Sequence, residues 1–401
     1  MPGPPHAVAS EGVRGSVRRA AGTQQRATTL ELFYDLVFVF AITQVSHYLL
    51  GHLTWEGAGQ ATLVLLVVWW SWNYTTWVTN ELDPESVVVR VLVIALMLAS
   101  LLMAIAIPEA FGGRALLFAG SYVAIQVGRH TFLTFAAAGR GTLERQRAGR
   151  ILTWFVAAGA LWIAGGLADG VTRTVLWLAA LALDYAAPLA TFWLPWRPRI
   201  TSAAWQVGTE HFAERFQLFI IIALGESIVI TGATTAELDL SAARVAAFAL
   251  AFLASAALSW LYFNLVAAIA QRRLAEAEAE DRTVLARDAY TYLHVVIVAG
   301  ILLSAVGDEI VIAHPTEELA DAQLAAVVCG PALYLLAHVA LRLRMTHELG
   351  RRRLGGAIAC LAVAAIGTFA SALVVAGSLL VVLVGVIAGD QVAAARRRRR
   401  A

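Results

Sequence analysis

Apolar residues in this chain come in long runs separated by short stretches rich in Arg, Gly and Pro. A run of about 18 to 25 such residues, helical at about 1.5 Å per residue, spans a hydrocarbon core of about 30 Å. The pattern predicts spans near 31–51, 57–78, 87–107, 114–137, 150–168 and 173–194, then near 209–232, 244–269, 287–313, 321–341, 353–372 and 375–393. The fold class expected is therefore all-α, a polytopic transmembrane helix bundle of about twelve spans. The last two spans come from one apolar stretch, 354–388, that must be cut near Gly377 to make two crossings. The expected organisation is a disordered cytoplasmic tail at 1–27, a first six-helix half at 28–204, a second at 205–395, and an Arg-rich cytoplasmic tail at 396–401.

Composition agrees: 59% of residues are hydrophobic and 14% charged, whereas soluble chains are typically about 45–50% apolar. Nothing in 1–27 has the apolar block of a cleaved signal peptide. The net charge of +2 says less than the placement of the 30 basic residues, all of which are Arg. With the N-terminus inside, predicted inner segments hold Arg14, Arg18, Arg19 and Arg26, then Arg140, Arg145, Arg147 and Arg150, then Arg197 and Arg199. The second half continues with Arg272, Arg273, Arg282 and Arg287, then Arg342, Arg344, Arg351, Arg352 and Arg353. Predicted outer segments hold Arg114, Arg173 and Arg244. Cytoplasmic loops collect Arg, so both termini are expected in the cytoplasm. The acidic loop 80–86 runs against this pattern. The terminal Arg396, Arg397, Arg398, Arg399 and Arg400 would attract anionic membrane lipid.

Charged residues inside the predicted spans carry the chemistry. A charge at the centre of a bilayer-spanning helix costs about 2.5 to 3.5 kcal/mol on insertion scales, so it must face protein or water. The seventh span, TEHFAERFQLFIIIALGESIVITG, holds Glu210, His211, Glu214, Arg215 and Glu226. At 100° per residue, His211, Arg215 and Glu226 share one arc of about 60°. Arg215 and Glu226 lie roughly 16 Å apart along the axis, so each needs a partner on another helix. Asp35 in the first span is the attractive partner for Arg215, because both lie near the cytoplasmic ends of their spans. Pathway candidates are therefore Asp35, His211, Glu214, Arg215, Glu226 and His294, with Glu31, Asn73, Arg129, Asp184 and Asp308 as secondary candidates.

Bland readings stand beside these. Thr28-Thr29-Leu30-Glu31 reads as a capping box, and Glu210 as a first-turn carboxylate complementing the helix dipole. His294 suits a proton relay, or a hydrogen-bonded place in the core. The tryptophans of WWSWNYTTW, from Trp69 to Trp77, could form a ligand cage, but an aromatic belt at the membrane interface is the commoner use. Cys329 and Cys360 fall in apolar runs, as small hydrophobes do. No HExxH, CxxC, Walker loop, GxGxxG opening a helix, or GxSxG occurs, so no metal, cofactor or catalytic residue is expected. Acid-x-Phe-x-acid opens span one (Glu31 to Asp35) and recurs in span seven (Glu210 to Glu214), a short echo that suggests two six-helix parallel repeats.

Three stretches carry a family resemblance: ELFYDLVFVFAITQ, HFAERFQLFIIIALGESI and YLHVVIVAGILLSAVGDEIVIAHP. They resemble the bacterial low temperature requirement protein A (LtrA) family, with its ELFxDLxFVxA, HxxERxxLxxIxxLGES and YxHxxxVAGI...HP segments in that order. The matching positions are Glu31, Asp35, His211, Glu214, Arg215, Gly225, Glu226, His294, His314 and Pro315. The resemblance implies a polytopic bacterial membrane protein linked by name to growth in the cold, without a settled substrate or activity. It runs from residue 31 to Pro315 and leaves the last three spans without a motif.

Two function classes follow, more readily non-enzymatic than enzymatic. One is a secondary transporter or permease of a small solute or ion, its buried ionisable groups lining a central cavity. The other is a membrane-embedded enzyme acting on a lipid or isoprenoid, with acids and an Arg for acid/base work and head-group binding. A structural or stress-adaptation membrane protein would use the same charges for packing only. Nucleic-acid binding does not suit a tail held against the inner leaflet.

Overall fold

The computed structural model describes residues 17, 26–139, 141–200 and 208–398. Most of the expected N-terminal tail, the 204/205 boundary between the expected halves, and the side chains of Arg397 to Arg400 lie outside the described residues. The regular structure of the described residues is helical, apart from one isolated bridge, Glu318 to Ser371.

The helices in chain order are α1 (Thr29–Gly51), α2 (Trp55–Thr79), α3 (Val87–Ala106), α4 (Ala115–Phe132), α5 (Leu143–Leu167), α6 (Gly170–Leu189) and α7 (Thr209–Glu237). They continue with α8 (Ala242–Leu261), α9 (Ala267–Glu276), α10 (Ala279–Leu285), α11 (His294–Ala313), α12 (Asp321–Thr346), α13 (Arg351–Ala362), α14 (Ala364–Gly367) and α15 (Ala372–Arg398). π-helical turns at Tyr262–Val266 and Ala286–Leu293 join α8 to α9 and α10 to α11 into continuous rods. Every predicted span overlaps one or more of these helices, although 173–194 runs past the end of α6 and 353–372 takes in the non-helical residues 368–371.

Eight stretches among the described residues are long and apolar enough to cross a membrane: Thr29–Gly51, Val87–Glu109, Leu143–Leu167, Thr209–Ala236, Ala242–Glu276, Ala279–Ala313, Asp321–Thr346 and Ala372–Arg396. The other four fall short for visible reasons. α2 carries indoles and the amides Gln60 and Asn73, α4 carries Gln126, Arg129 and His130, α6 carries Arg173 and Asp184, and α13 with α14 is broken at Val363. The outer surface is apolar: α3 exposes Val91, Ile94, Leu98 and Ile105 at 40–62%. That spacing makes one greasy stripe along a helix, which water would penalise and lipid would not. This is a multi-pass membrane protein.

The break in the last apolar stretch comes earlier than Gly377. The helix stops after Gly367, and α15 starts at Ala372, whose N–H donates to Glu317 O at 2.8 Å while Leu373 N donates to Pro315 O at 3.0 Å. A loop more than fifty residues upstream thus sets the position of the cut, so glycine content could not reveal it.

Local signals start several helices. Thr142 caps α5 by accepting from Arg145 N, and Ser241 caps α8 by accepting from Arg244 N. At α1, Thr28 N and Glu31 Oε2 are 2.9 Å apart and Glu31 N reaches Thr28 Oγ1 at 3.4 Å, the reciprocal pattern of a capping box.

The chain divides into two compact units. The first comprises Met1–Gln44, Leu63–Arg215 and Glu278–Val284; the second comprises Val45–Thr62, Phe216–Ala277 and Leu285–Ala401. The core of the first unit is aromatic. Trp69, Trp70 and Trp72 are at most 1% exposed, and Trp70 stacks on Tyr185 at 3.8 Å between ring centroids. These three indoles are interior packing and not an interfacial belt, which corrects the expectation for them; belt and core share the same composition. In the second unit α11 and α12 touch backbone to backbone. A Cβ built on Gly300 would lie 2.6 Å from Tyr334 N, and one on Gly330 would lie 2.5 Å from Ser304 N. Small residues permit this approach where no water drives helices together.

Candidate functional site

In the first unit α1 and the opening of α7 present two matched pairs. Glu31 and Asp35 are four residues apart on α1, and His211 and Arg215 four apart on α7, so each pair projects from one helix face. Glu31 Oε1 lies 3.0 Å from His211 Nε2 and 3.3 Å from Arg215 Nη1. Arg215 Nη2 donates to Asp35 Oδ1 at 2.5 Å, and Trp72 Nε1 of α2 donates to the same oxygen at 2.8 Å. The Arg215 to Asp35 contact expected from the sequence is present. Glu31 both caps α1 through Oε2 and meets α7 through its carboxylate, so the capping and pairing readings hold together.

All four of these groups are sealed: Glu31, Asp35 and Arg215 are 1% exposed and His211 2%. They are not fully satisfied. Arg215 Nε and Nη1 and Asp35 Oδ2 find no hydrogen-bond partner among the described residues, although Nη1 sits within ion-pair range of Glu31. Burying such atoms unpaired costs about 1–3 kcal/mol each, more for charged groups. His211 Nδ1 faces Asn80 Oδ1 at 3.1 Å. With oxygens at both ring nitrogens the ring donates twice only as imidazolium, unless the Asn80 amide is turned the other way round. Glu214, at the flank, accepts from Ala27 N at 2.8 Å, and Glu210 is exposed.

A second buried constellation in the same unit holds Arg129 and Asp184. Arg129 Nη1 donates to Thr75 Oγ1 at 2.8 Å and to Ser71 O at 3.3 Å, its Nη2 meets Gln126 Oε1, and its guanidinium lies 5.6 Å from the centre of the Tyr74 ring. Every acceptor that meets it is neutral. Asp184 Oδ2 accepts from Tyr122 at 2.7 Å and from Trp162 Nε1 at 2.9 Å. Asn73 of α2 is also buried. Among acids, arginines and histidines of this unit that are 3% exposed or less, the three carboxylates Glu31, Asp35 and Asp184 stand against the two guanidiniums Arg129 and Arg215, with the imidazoles of His130 and His211 beside them. With the three acids ionised, the interior is one negative charge in excess when both imidazoles are neutral and balanced when one of them carries a proton.

Glu226, 1% exposed, and His294 belong to the second unit, as does the half-buried Asp308. His294 Nδ1 lies 2.8 Å from Ala289 O, a carbonyl that the π-helical turn presents five residues back, and Tyr262 Oη lies 2.9 Å from Nε2. The carbonyl can only accept, so the proton sits on Nδ1 and Tyr262 donates to Nε2. Tyr262→Phe is expected to leave Nε2 unpaired in a dry place and lower stability by about 1–3 kcal/mol. Thermal melting of the purified protein checks this; a melting point equal to that of the parent removes the tautomer assignment.

Sequence reasoning missed a third group, in the second unit. Arg353 of α13 donates Nη1 to His338 Nδ1 at 2.9 Å and Nη2 to Leu261 O at 3.0 Å, and pairs with Asp390 of α15 at 3.4 Å. Arg353 looked like one more loop arginine; a lone His and a lone Asp deep in apolar runs were the only signals.

The family described as "Bacterial low temperature requirement A protein (LtrA)" matches residues 26–388. The chain is similar, at 37% identity over 326 residues, to "Uncharacterized protein RA0937" of Rhizobium meliloti (strain 1021), covering 80% of this chain and 78% of that relative. No solved structure matches.

Proposed function

This chain belongs to the bacterial LtrA family, and from that premise we propose that it is a secondary transporter whose coupling group is the Glu31–Asp35–His211–Arg215 cluster. One observation carries the reading: a buried guanidinium and a buried carboxylate, Arg215 and Asp35, keep polar atoms without hydrogen-bond partners among the described residues, in an interior one positive charge short of neutrality when its acids are ionised and both its imidazoles neutral. A lattice made only for packing gains from satisfying those atoms, whereas a binding site leaves them for its ligand. The species that balances the charge is a proton on His211 or a small monovalent cation. Glu226 in the second unit is proposed as a separate ionisable station.

The reading extends to topology. Each of the twelve helical stretches is taken as a crossing of the bacterial plasma membrane, in two six-span halves with both termini cytoplasmic and anionic lipid near Arg396 to Arg400. The arginine distribution supports the orientation. The repeat has weaker support: the echo aligns Glu31 with Glu210 and Asp35 with Glu214, yet Glu31 and Asp35 are buried while Glu210 is exposed and Glu214 half-buried.

A second reading, a structural membrane protein without flux, draws on the near-complete burial of the same four groups. Proteoliposomes loaded with a pH-sensitive dye and given an imposed potassium diffusion potential separate the two, with sodium and potassium gradients as further arms. The parent protein is expected to move protons or one of these cations, and His211→Gln to abolish the movement while eluting as a folded protein. Absence of proton, sodium and potassium movement by the parent would favour the structural reading.

A further inference from the structure

We infer that the second unit carries a binding site for the phosphate of an anionic lipid headgroup, between the end of α12 and the start of α13. A cavity of about 440 Å³ lies there, walled by Arg342, Arg351, Arg352 and Arg353 together with Glu348 and Asp390. Four guanidiniums against two carboxylates leave it two positive charges in excess. The internal pairs do not use up this charge. Arg342 holds Glu348 at 2.6 Å and Arg353 holds Asp390 at 3.4 Å, while Arg352 reaches Asp390 only at 3.7 Å with 53% of its side chain exposed. Arg351 is exposed at the first position of α13, a helix that follows Gly350 and has no side-chain cap, so the dipole of its first turn adds to the attraction for an anion. Guanidinium forks match phosphate oxygens in pairs.

A neighbouring feature selects a lipid over free phosphate. An apolar slot of about 20 Å³, lined by Val266, Ile269, Leu341 and Met345, adjoins the cavity and shares Arg342 and Arg353 with it as common walls; it has room for the first methylene of a chain and no more. A ligand with a phosphate in the cavity and a hydrocarbon chain that begins beside this apolar surface meets both, and basic pockets between membrane helices hold such headgroups. This site is distinct from the arginines of the C-terminal tail and does not depend on whether the protein transports anything.

The test uses the full-length protein in neutral detergent, titrated with phosphatidylglycerol or phosphatidylcholine and read by native mass spectrometry. Phosphatidylglycerol is expected to be retained and phosphatidylcholine lost. Arg351→Gln with Arg352→Gln removes two exposed charges, each worth about 1 kcal/mol near an anionic surface, so retention should weaken about thirtyfold. Ile269→Trp, which fills the slot without altering charge, should weaken retention too, whereas Gln at Arg396 to Arg400 should leave it unchanged. Equal retention by the parent and the double variant, or loss only in the tail variant, overturns the site. Displacement of the lipid by millimolar inorganic phosphate assigns the cavity to free phosphate and overturns the lipid.

Discussion

Arg215→Met is expected to be among the most destabilising substitutions in the first unit, costing about 3–5 kcal/mol, because it strips the guanidinium from a buried pair and leaves the charge behind. Asp35 loses its 2.5 Å partner and Glu31 its 3.3 Å neighbour, both in a place 1% exposed. Neither carboxylate can turn to water. The companion variants give the result its meaning. Asp35→Asn together with Arg215→Met removes both charges of the closest pair and should recover much of the loss, since a neutral buried pair has no desolvation to offset. Arg90→Gln, at an exposed pair with Glu85 where the side chains are 47% and 78% exposed, should change stability by less than about 1 kcal/mol. Thermal unfolding in detergent measures all three. If Arg215→Met melts with Arg90→Gln, the cluster contributes nothing to the fold.

Gly330→Leu is the second large effect, and its cause is steric. A Cβ at this position would sit 2.5 Å from Ser304 N and 2.8 Å from Ser304 Cα, atoms that cannot rotate away. α11 and α12 must therefore separate, and Gly300 and Gly307, which approach Tyr334 and Val327 in the same way, lose their contacts with the same movement. The cost is about 3 kcal/mol, the upper end of the range for overpacking a filled core. Gly385→Ala on α15 is the control: nothing lies within 4 Å of its Cβ, and Ala favours a helix. The expected readout is loss of the monodisperse detergent-solubilised species for Gly330→Leu and a parental elution profile for Gly385→Ala. Parental behaviour of both would show that the two helices are not packed at backbone distance.

The helices and the meeting of Asp35 with Arg215 were legible because both follow from cost. Apolar length dictates a helix in lipid, and a charge near one end of a span must find another at the same depth. The environment of Arg129 was not legible, because its partners are the backbone carbonyl of Ser71 and the neutral side chains of Thr75 and Gln126, which carry no charge to mark them. The interior place of Trp69, Trp70 and Trp72 was hidden by a composition shared with interfacial belts. Arg342, Arg351, Arg352 and Arg353 counted toward orientation as loop charges, and only tertiary structure drew them around one cavity. The cut between the last two apolar stretches depended on backbone bonds to Pro315 and Glu317, contacts with no local sequence signature.

The pairing of α1 with α7 spans 180 residues of chain. A ribosome adding about 5–20 residues per second makes α1 roughly 10 to 35 seconds before Arg215 emerges. Through that interval Glu31 and Asp35 have no cationic partner from α7, so α1 cannot settle into hydrocarbon as a finished span with both acids charged. Its stable insertion is therefore expected late in biogenesis, with nascent chains truncated before His211 releasing α1 from the bilayer more readily than chains that reach past Arg215.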